Sequence, residues 1–195
     1  ELLNIRPASI NKDVLYRGCR NLSKIYSELE NYLRNQASSL YTSDTIFILD
    51  LTNFYMEGRY ENSELCKHGR SKEKRSDCKL VGLGLVVNSD GFIVRSKIFK
   101  GNIADVKTLQ EIIGSLCVDC RKLIVIDSGF CSKENLNWLT TNGYDYITVM
   151  RSKGQEYTPI GDEKTVTDYK NQPIHLQKVE MENVTDTVIM VNSEA

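Results

Sequence analysis

Two aspartates stand where a carboxylate is hardest to keep. Asp50 interrupts the run Thr45-Ile46-Phe47-Ile48-Leu49-Asp50-Leu51, and Asp127 closes Lys122-Leu123-Ile124-Val125-Ile126-Asp127, both otherwise dominated by β-branched and apolar side chains. Removing water from a carboxylate is costly unless a hydrogen bond or a positive charge compensates. For one such residue, a backbone amide or a neighbouring arginine is explanation enough. Two of them raise a further reading. If their strands are sheet neighbours, about 4.8 Å apart, the carboxylates converge on one volume and repel each other. A bound Mg²⁺ or Mn²⁺ relieves that repulsion, and two such ions about 3.5–4 Å apart serve in-line phosphodiester displacement by activating the nucleophile and steadying the leaving oxygen. All-oxygen ligands favour these hard cations over zinc.

A second stretch has the complementary charge. Lys67-His68-Gly69-Arg70-Ser71-Lys72-Glu73-Lys74-Arg75 holds one acid among five Lys or Arg residues. Alone it reads as a solvated loop. Leaving the sheet near the end that holds Asp50, it brings Lys67, His68, Arg70, Lys72, Lys74 and Arg75 within reach of phosphates beside the carboxylates. Cys117-Val-Asp-Cys120 has zinc-knuckle spacing but no second Cys or His pair follows, so core and surface thiols are the reading for all six cysteines. No glycine-rich nucleotide loop and no Ser-His-Asp order is present.

Composition bounds the setting. The chain has 195 residues, 25 Lys+Arg against 26 Asp+Glu, and 41% hydrophobic residues, the usage of an ordinary globular domain. A formal charge of −1 excludes a globally basic, histone-like binder, so contact with nucleic acid must come from local clustering. No apolar run approaches the roughly 18–20 residues of a membrane span, and the start Glu1-Leu2-Leu3-Asn4 lacks the order of a signal peptide. The expectation is a soluble fragment with reduced thiols and no membrane partner.

The elements that must position these residues follow from periodicity. Leu22, Ile25, Leu29, Tyr32 and Leu33 recur at helical spacing and predict one surface helix over 21–36. The Asp50 run is a buried strand. Val81, Leu83, Leu85 and Val87 alternate in a second strand, and Asn88-Ser89-Asp90-Gly91 turns it into a third over 92–99. Gly82 and Gly84 on one face predict a close approach by another element. A helix follows Gly101-Asn102, with Asp105 at its start and Val106, Leu109, Ile112, Ile113 and Leu116 as its buried stripe. The Asp127 strand comes next, then a helix over 133–141 capped by Ser132 and stopped at Asn142-Gly143, then a strand over 144–150. The meander followed by strand-helix-strand crossovers predicts an α/β fold with a mixed sheet. Beyond Arg151, 158–172 reads as polar, while 175–181 and 184–192 read as strands opening a β-rich segment.

Four segments occur in order: Leu49-Asp50-Leu51-Thr52-Asn53-Phe54-Tyr55-Met56-Glu57-Gly58; His68-Gly69-Arg70-Ser71-Lys72-Glu73-Lys74-Arg75-Ser76-Asp77; Gly101-Asn102-Ile103-Ala104-Asp105-Val106-Lys107-Thr108-Leu109; and Val125-Ile126-Asp127-Ser128-Gly129. Together, over residues 15 to 155, they resemble the DDE transposases of bacterial insertion sequences. The resemblance implies a ribonuclease H-like fold whose first and fourth strands are neighbours. It also implies that the family's first two catalytic aspartates match Asp50 and Asp127. Members cleave element ends and join the freed 3′-hydroxyl to target DNA with divalent metal, Mg²⁺ or Mn²⁺, in a two-metal site. Double-stranded DNA at element ends and target, self-association on paired ends, and a bacterial cytoplasmic, nucleoid-associated location are implied with it.

The chain departs from the family at the third carboxylate. That Glu lies on a later helix in a pattern of Tyr, two residues, Arg, three residues, Glu, six residues, Lys, and no Tyr here is followed by Arg at that spacing. Glu134 sits on the helix just past Asp127, and Glu156, Glu163 and Glu180 fall in the polar or β-like tail, so none is a natural substitute. Asn102 and Asp105 are explained by a turn and a helix start, and Glu57 by a strand end, although each belongs to a family-like motif. His175 reads as a strand residue, and Arg151 and Lys153 as a solvated strand end. The expected organisation is a helical lead-in over 1–44, an incomplete ribonuclease H-like core over 45–155, and the start of a β-rich insertion over 156–195. The expected function is metal-dependent strand cleavage and transfer in the full-length enzyme, with the isolated chain binding metal weakly and cutting poorly. A ribonuclease H-like nuclease or resolvase, or a non-catalytic DNA-binding remnant, are the alternatives.

Overall fold

The computed structural model describes residues 11–38, 46–70, 76–116, 122–150, 156–182 and 184–193. The chain forms two compact units, Glu1–Met150 and Arg151–Ala195.

The first unit opens with two helices where one was expected. α1 (Lys12–Lys24) starts at Asn11, whose side chain accepts from the Asp13 amide at 2.9 Å, an N-cap that satisfies an otherwise orphaned donor. It ends at Ile25, which leaves helical geometry at φ −110, ψ 14, and α2 (Tyr26–Ser38) resumes at once. Periodicity alone misses the break because apolar residues keep their three-to-four spacing across it. The break sits directly before the residues with which α2 grips the sheet, described below.

The sheet of this unit contains β1 (Ile46–Met56), β2 (Lys79–Asn88), β3 (Ile93–Lys100), β4 (Lys122–Ile126) and β5 (Tyr144–Thr148), in the order β3-β2-β1-β4-β5. The meander pairs are antiparallel, and β4 lies parallel to both β1 and β5. This is the mixed α/β sheet, with first and fourth strands adjacent, that the ribonuclease H-like resemblance implied. The β2–β3 turn is built by Asn88, whose buried carboxamide oxygen accepts from the Asp90 and Phe92 amides, while Gly91 takes φ +83.

Alternation decides which face is covered. Phe47, Leu49 and Leu51 of β1 are buried, and with Ile124 and Ile126 of β4 they pack against α3 (Leu109–Ile113) and α4 (Lys133–Thr141) through Leu109, Ile112, Ile113 and Leu139. Each such burial contributes roughly 1.5–3 kcal/mol. The expected close approach falls at Gly84, where a Cβ would stand 3.0 Å from Ile112 Cδ1 and 3.0 Å from Phe99 Cε2; at Gly82 the nearest contact is an ordinary 3.5 Å. The single helix expected from Asp105 is instead a 3-10 turn, Asp105–Lys107, followed by the short α3. Thr108 joins them, its hydroxyl donating back to the Asp105 carbonyl at 2.7 Å. α4 has the expected bounds, with the Asn135 amide donating to Ser132 Oγ at 3.1 Å and Gly143 at φ +78.

β3 is an edge strand, and α2 covers its exposed polar groups. Ser96 N–H donates to Glu30 Oε1 at 2.6 Å, and its carbonyl accepts from the Tyr26 hydroxyl at 2.8 Å. Arg95 bridges Glu30 Oε2 at 2.7 Å and the Ser115 carbonyl at 2.8 Å. Unpaired edge groups invite pairing with another chain, and this clamp occupies them.

The second unit is an antiparallel sheet of β6 (Tyr157–Pro159), β7 (Lys164–Thr167), β8 (Pro173–Met181) and β9 (Val188–Ser193), with β6, β7 and β9 all pairing to β8. Two short strands, β6 and β7, thus fall largely in the stretch over 158–172 that reads only as polar. All their side chains are exposed, so no hydrophobic alternation marked them. Asp168 shapes the β7–β8 turn, its Oδ1 accepting from the Lys170 and Gln172 amides. His175 on β8 pairs with Glu163 at 2.9 Å. Among the described residues no helix is long and apolar enough to cross a membrane.

Candidate functional site

The β1–β4 register brings the two aspartates level. The last ladder pair is Leu49 with Ile126, and Asp50 and Asp127 are the next residue on each strand. Parallel neighbours lie about 4.8 Å apart, so the two residues follow level positions of adjacent strands. Leu49, Leu51 and Ile126 are buried against the helices, which puts exposed Asp50 and Asp127 on the side away from them. β4 stops at Ile126 while β1 continues to Met56, so the pair stands at the carboxyl end of β4, the side of a parallel sheet where ligands bind.

Local bonds orient both groups. Asp50 Oδ2 accepts from Thr52 Oγ1 at 3.4 Å, and Asp127 Oδ1 accepts from the Ser128 amide at 2.6 Å. Asp127 opens a tight turn closed by Phe130 N–H donating to the Asp127 carbonyl at 3.0 Å, with the Phe130 ring locked in the core. Among the described residues no Lys or Arg forms an ion pair with Asp127. Two level, exposed carboxylates on adjacent strands are an all-oxygen donor set that fits part of the shell of Mg²⁺ or Mn²⁺, with water completing it. Among the described residues no group of three or more His, Cys, Asp or Glu side chains is placed to hold a metal ion.

The start of the basic stretch is anchored to the same sheet. Lys67 forms a two-bond bridge with Leu80, at 3.1 and 2.8 Å, and the Gly101 amide donates to the Leu65 carbonyl at 3.0 Å. Asn53, three residues beyond Asp50 on β1, donates its side-chain amide to the Arg70 carbonyl at 3.2 Å. Gly69 lies flat against Gly101: a Cβ there would overlap the Gly101 carbonyl oxygen, 2.9 Å from its carbonyl carbon and 3.0 Å from Asn102 Cα. Two motifs that looked separate along the chain thus meet backbone to backbone. Lys67 is half-buried, and His68 and Arg70 are exposed. Lys72, Lys74 and Arg75, like the Cys117 and Cys120 pair and Arg151 with Lys153, lie outside the described residues.

Asp105 also meets the Asp127 segment, though its side chain caps no helix. Its carboxylate packs over Gly129, where a Cβ would stand 3.0 Å from Oδ2. Asn102 is exposed at the Gly69–Gly101 contact, and Glu57 is exposed just past β1. Pattern reading passed over three participants: Asn53, Asn135 and the Gly69–Gly101 pair. Asn135 had only one sequence signal, a polar residue in the first turn of an otherwise amphipathic helix.

The family model described as "Transposase DDE domain" matches residues 41–193. No curated protein matches the chain. Among solved structures, the chain is similar to the piggyBac transposase in a cryo-EM synaptic complex with hairpin DNA, at 14% identity and a TM-score of 0.39. That match covers 80% of this chain and 34% of the piggyBac chain, so the chain spans about a third of its length.

Proposed function

The chain belongs to the transposase DDE domain family, and from that premise we propose that it is part of a transposase catalytic core whose Asp50 and Asp127 hold divalent metal for DNA strand cleavage and strand transfer. The observation that carries the proposal is the register Leu49 with Ile126, which sets the two carboxylates side by side on one face. In this reading residues 1–44 lead in, 45–155 form the core and 156–195 begin a β-rich insertion.

Bound Mg²⁺ or Mn²⁺ supplies Lewis-acid activation of the attacking oxygen and charge relief at the leaving oxygen. The protein's own groups do the rest. Asp50 and Asp127 present four oxygens to one volume. Lys67, His68 and Arg70, with Lys72, Lys74 and Arg75, take the phosphates of double-stranded DNA at element ends and target, fixing its register without reading its bases. The Gly69–Gly101 contact holds the root of that basic stretch to the end of β3, and the Asn53 bond holds it to the strand that carries Asp50. Protomers act together on paired DNA ends, in the bacterial nucleoid. The chain's sequence lacks the Tyr-Arg-Glu-Lys pattern that supplies a third carboxylate, so alone it binds metal weakly and cuts poorly.

The deciding experiment uses the full-length enzyme with labelled element ends. Asp50→Asn and Asp127→Asn each abolish joined product while leaving DNA binding in place. Strand transfer at the wild-type rate in either variant refutes the assignment. Cleaved but never joined DNA from the wild type would favour the nuclease or resolvase alternative.

A further inference from the structure

One buried amide ties together the segments that carry Asp105 and Asp127. Asn135, in the first turn of α4, is 2% exposed, yet its side chain has a partner in every direction. Nδ2 donates to the Val106 carbonyl at 2.7 Å and to the Phe130 carbonyl at 2.9 Å, and Oδ1 accepts from Gln110 Nε2 at 3.1 Å. The two carbonyls only accept, so they decide which end of the amide faces them, and Gln110 Nε2 meets the oxygen that remains.

Each carbonyl belongs to one flank of the Asp127 turn. Phe130 closes that turn through its amide bond to the Asp127 carbonyl at 3.0 Å. Val106 follows Asp105, whose carboxylate presses on Gly129 in the middle of the turn. Asp127 itself lies one residue past the last ladder pairs of β4, Leu49 with Ile126 and Ile126 with Thr148, so the sheet does not hold its backbone. What holds it is the far end of the turn. Two ligands on different strands share a cation only if neither drifts, and a polar contact that orients a ligand is worth about 10–100-fold in metal affinity.

We propose that Asn135 is a positioning residue for the Asp127 carboxylate, with Gln110 supplying the third bond that holds its side chain. The proposal rests on the reading of Asp50 and Asp127 as metal ligands. An apolar side chain at 135 would fill the space between α4 and the turn, but it would leave the Phe130 and Val106 carbonyls without their donor and the turn free to shift.

The test titrates Mn²⁺ into the full-length enzyme, followed by electron paramagnetic resonance, and measures amide hydrogen exchange in parallel. Asp127→Asn abolishes binding. Asn135→Ala weakens it about tenfold or more. Gln110 is exposed and its loss leaves the core intact; Gln110→Ala weakens binding roughly threefold, an intermediate loss because it removes one of the three bonds that hold the Asn135 side chain. In both variants the Phe130 and Cys131 amides exchange faster while β1 keeps its protection, which a general loss of stability would not produce. Should Asn135→Ala fail to fold, Gln110→Ala carries the test. If Asp127→Asn abolishes binding while the foldable variants bind within about twofold of wild type and exchange at Phe130 is unchanged, the proposal fails and the ligand reading stands. Mn²⁺ binding that is absent from the wild type, or that survives Asp127→Asn, overturns the ligand reading and the proposal with it.

Discussion

Substituting Gly101 by alanine tests whether the basic stretch is built into the sheet or merely lies on it. Gly101 is buried and not in the left-handed region of backbone space, so the effect is one of contact alone. A Cβ there would overlap the Leu80 carbonyl oxygen and stand 2.8 Å from Leu80 Cβ. Carbon atoms settle about 3.5–4.0 Å apart, so the 101 and 80 backbones must separate by roughly 0.7 Å or more. Three hydrogen bonds cross this junction: Lys67 N to Leu80 O at 3.1 Å, Leu80 N to Lys67 O at 2.8 Å, and Gly101 N to Leu65 O at 3.0 Å. Overpacking costs about 1–3 kcal/mol and each lost backbone bond about 1 kcal/mol, and because yielding at one relieves the other the net loss is about 3–5 kcal/mol. Trp138 is the sole tryptophan and stacks on Tyr144 at 6.1 Å, so its fluorescence reports the Glu1–Met150 unit. With a urea slope of about 2 kcal/mol per molar, the midpoint falls by roughly 1.5–2.5 M. A fall of less than about 0.5 M refutes the argument that these two backbones are pressed together.

Acid should undo the α2 clamp. Burial pushes the Glu30 carboxyl up, but hydrogen bonds from Arg95 and from the Ser96 amide and hydroxyl outweigh it and hold the group below the ordinary carboxylate range. A depressed folded value means the stabilisation is present above the unfolded value of roughly 4.3 and disappears as pH falls through the folded one. Glu30→Gln should therefore cost about 1–3 kcal/mol at neutral pH, with the gap to wild type closing below roughly pH 4; a gap independent of pH would show that charge is irrelevant there. Gly18 lies inside α1 with open space around it, so Gly18→Ala should raise helical stability by about 0.8–1 kcal/mol, read as added circular-dichroism helicity. Arg70→Ala in the full-length enzyme should weaken binding to all DNA sequences alike and reduce the salt-dependence slope by about 1, whereas a sequence-selective loss would mean base contact rather than phosphate contact.

Much of this molecule is written in short stretches of chain. The Ser132 cap and Asn142-Gly143 stop delimit α4 because a capping oxygen and a residue at positive φ act within one turn. The two aspartates announced themselves because a charge in an apolar strand is anomalous whatever lies around it. Nothing local, however, says which strand β1 will choose as a neighbour or in what register, and a one-residue slip would send Asp50 and Asp127 to opposite faces. The pairing of Leu49 with Ile126 comes from two helices needing one continuous apolar face to bury. The break at Ile25 is equally silent in the pattern, since Tyr26 and Glu30 find Ser96 some seventy residues away. β6 and β7 carry no alternation because their side chains stay in water and only their backbones pair. Periodicity and capping chemistry act over a few residues and can be read along the chain. Register, the Gly69–Gly101 contact and the Asn135 amide join segments distant along it, and only the packed structure brings their partners together.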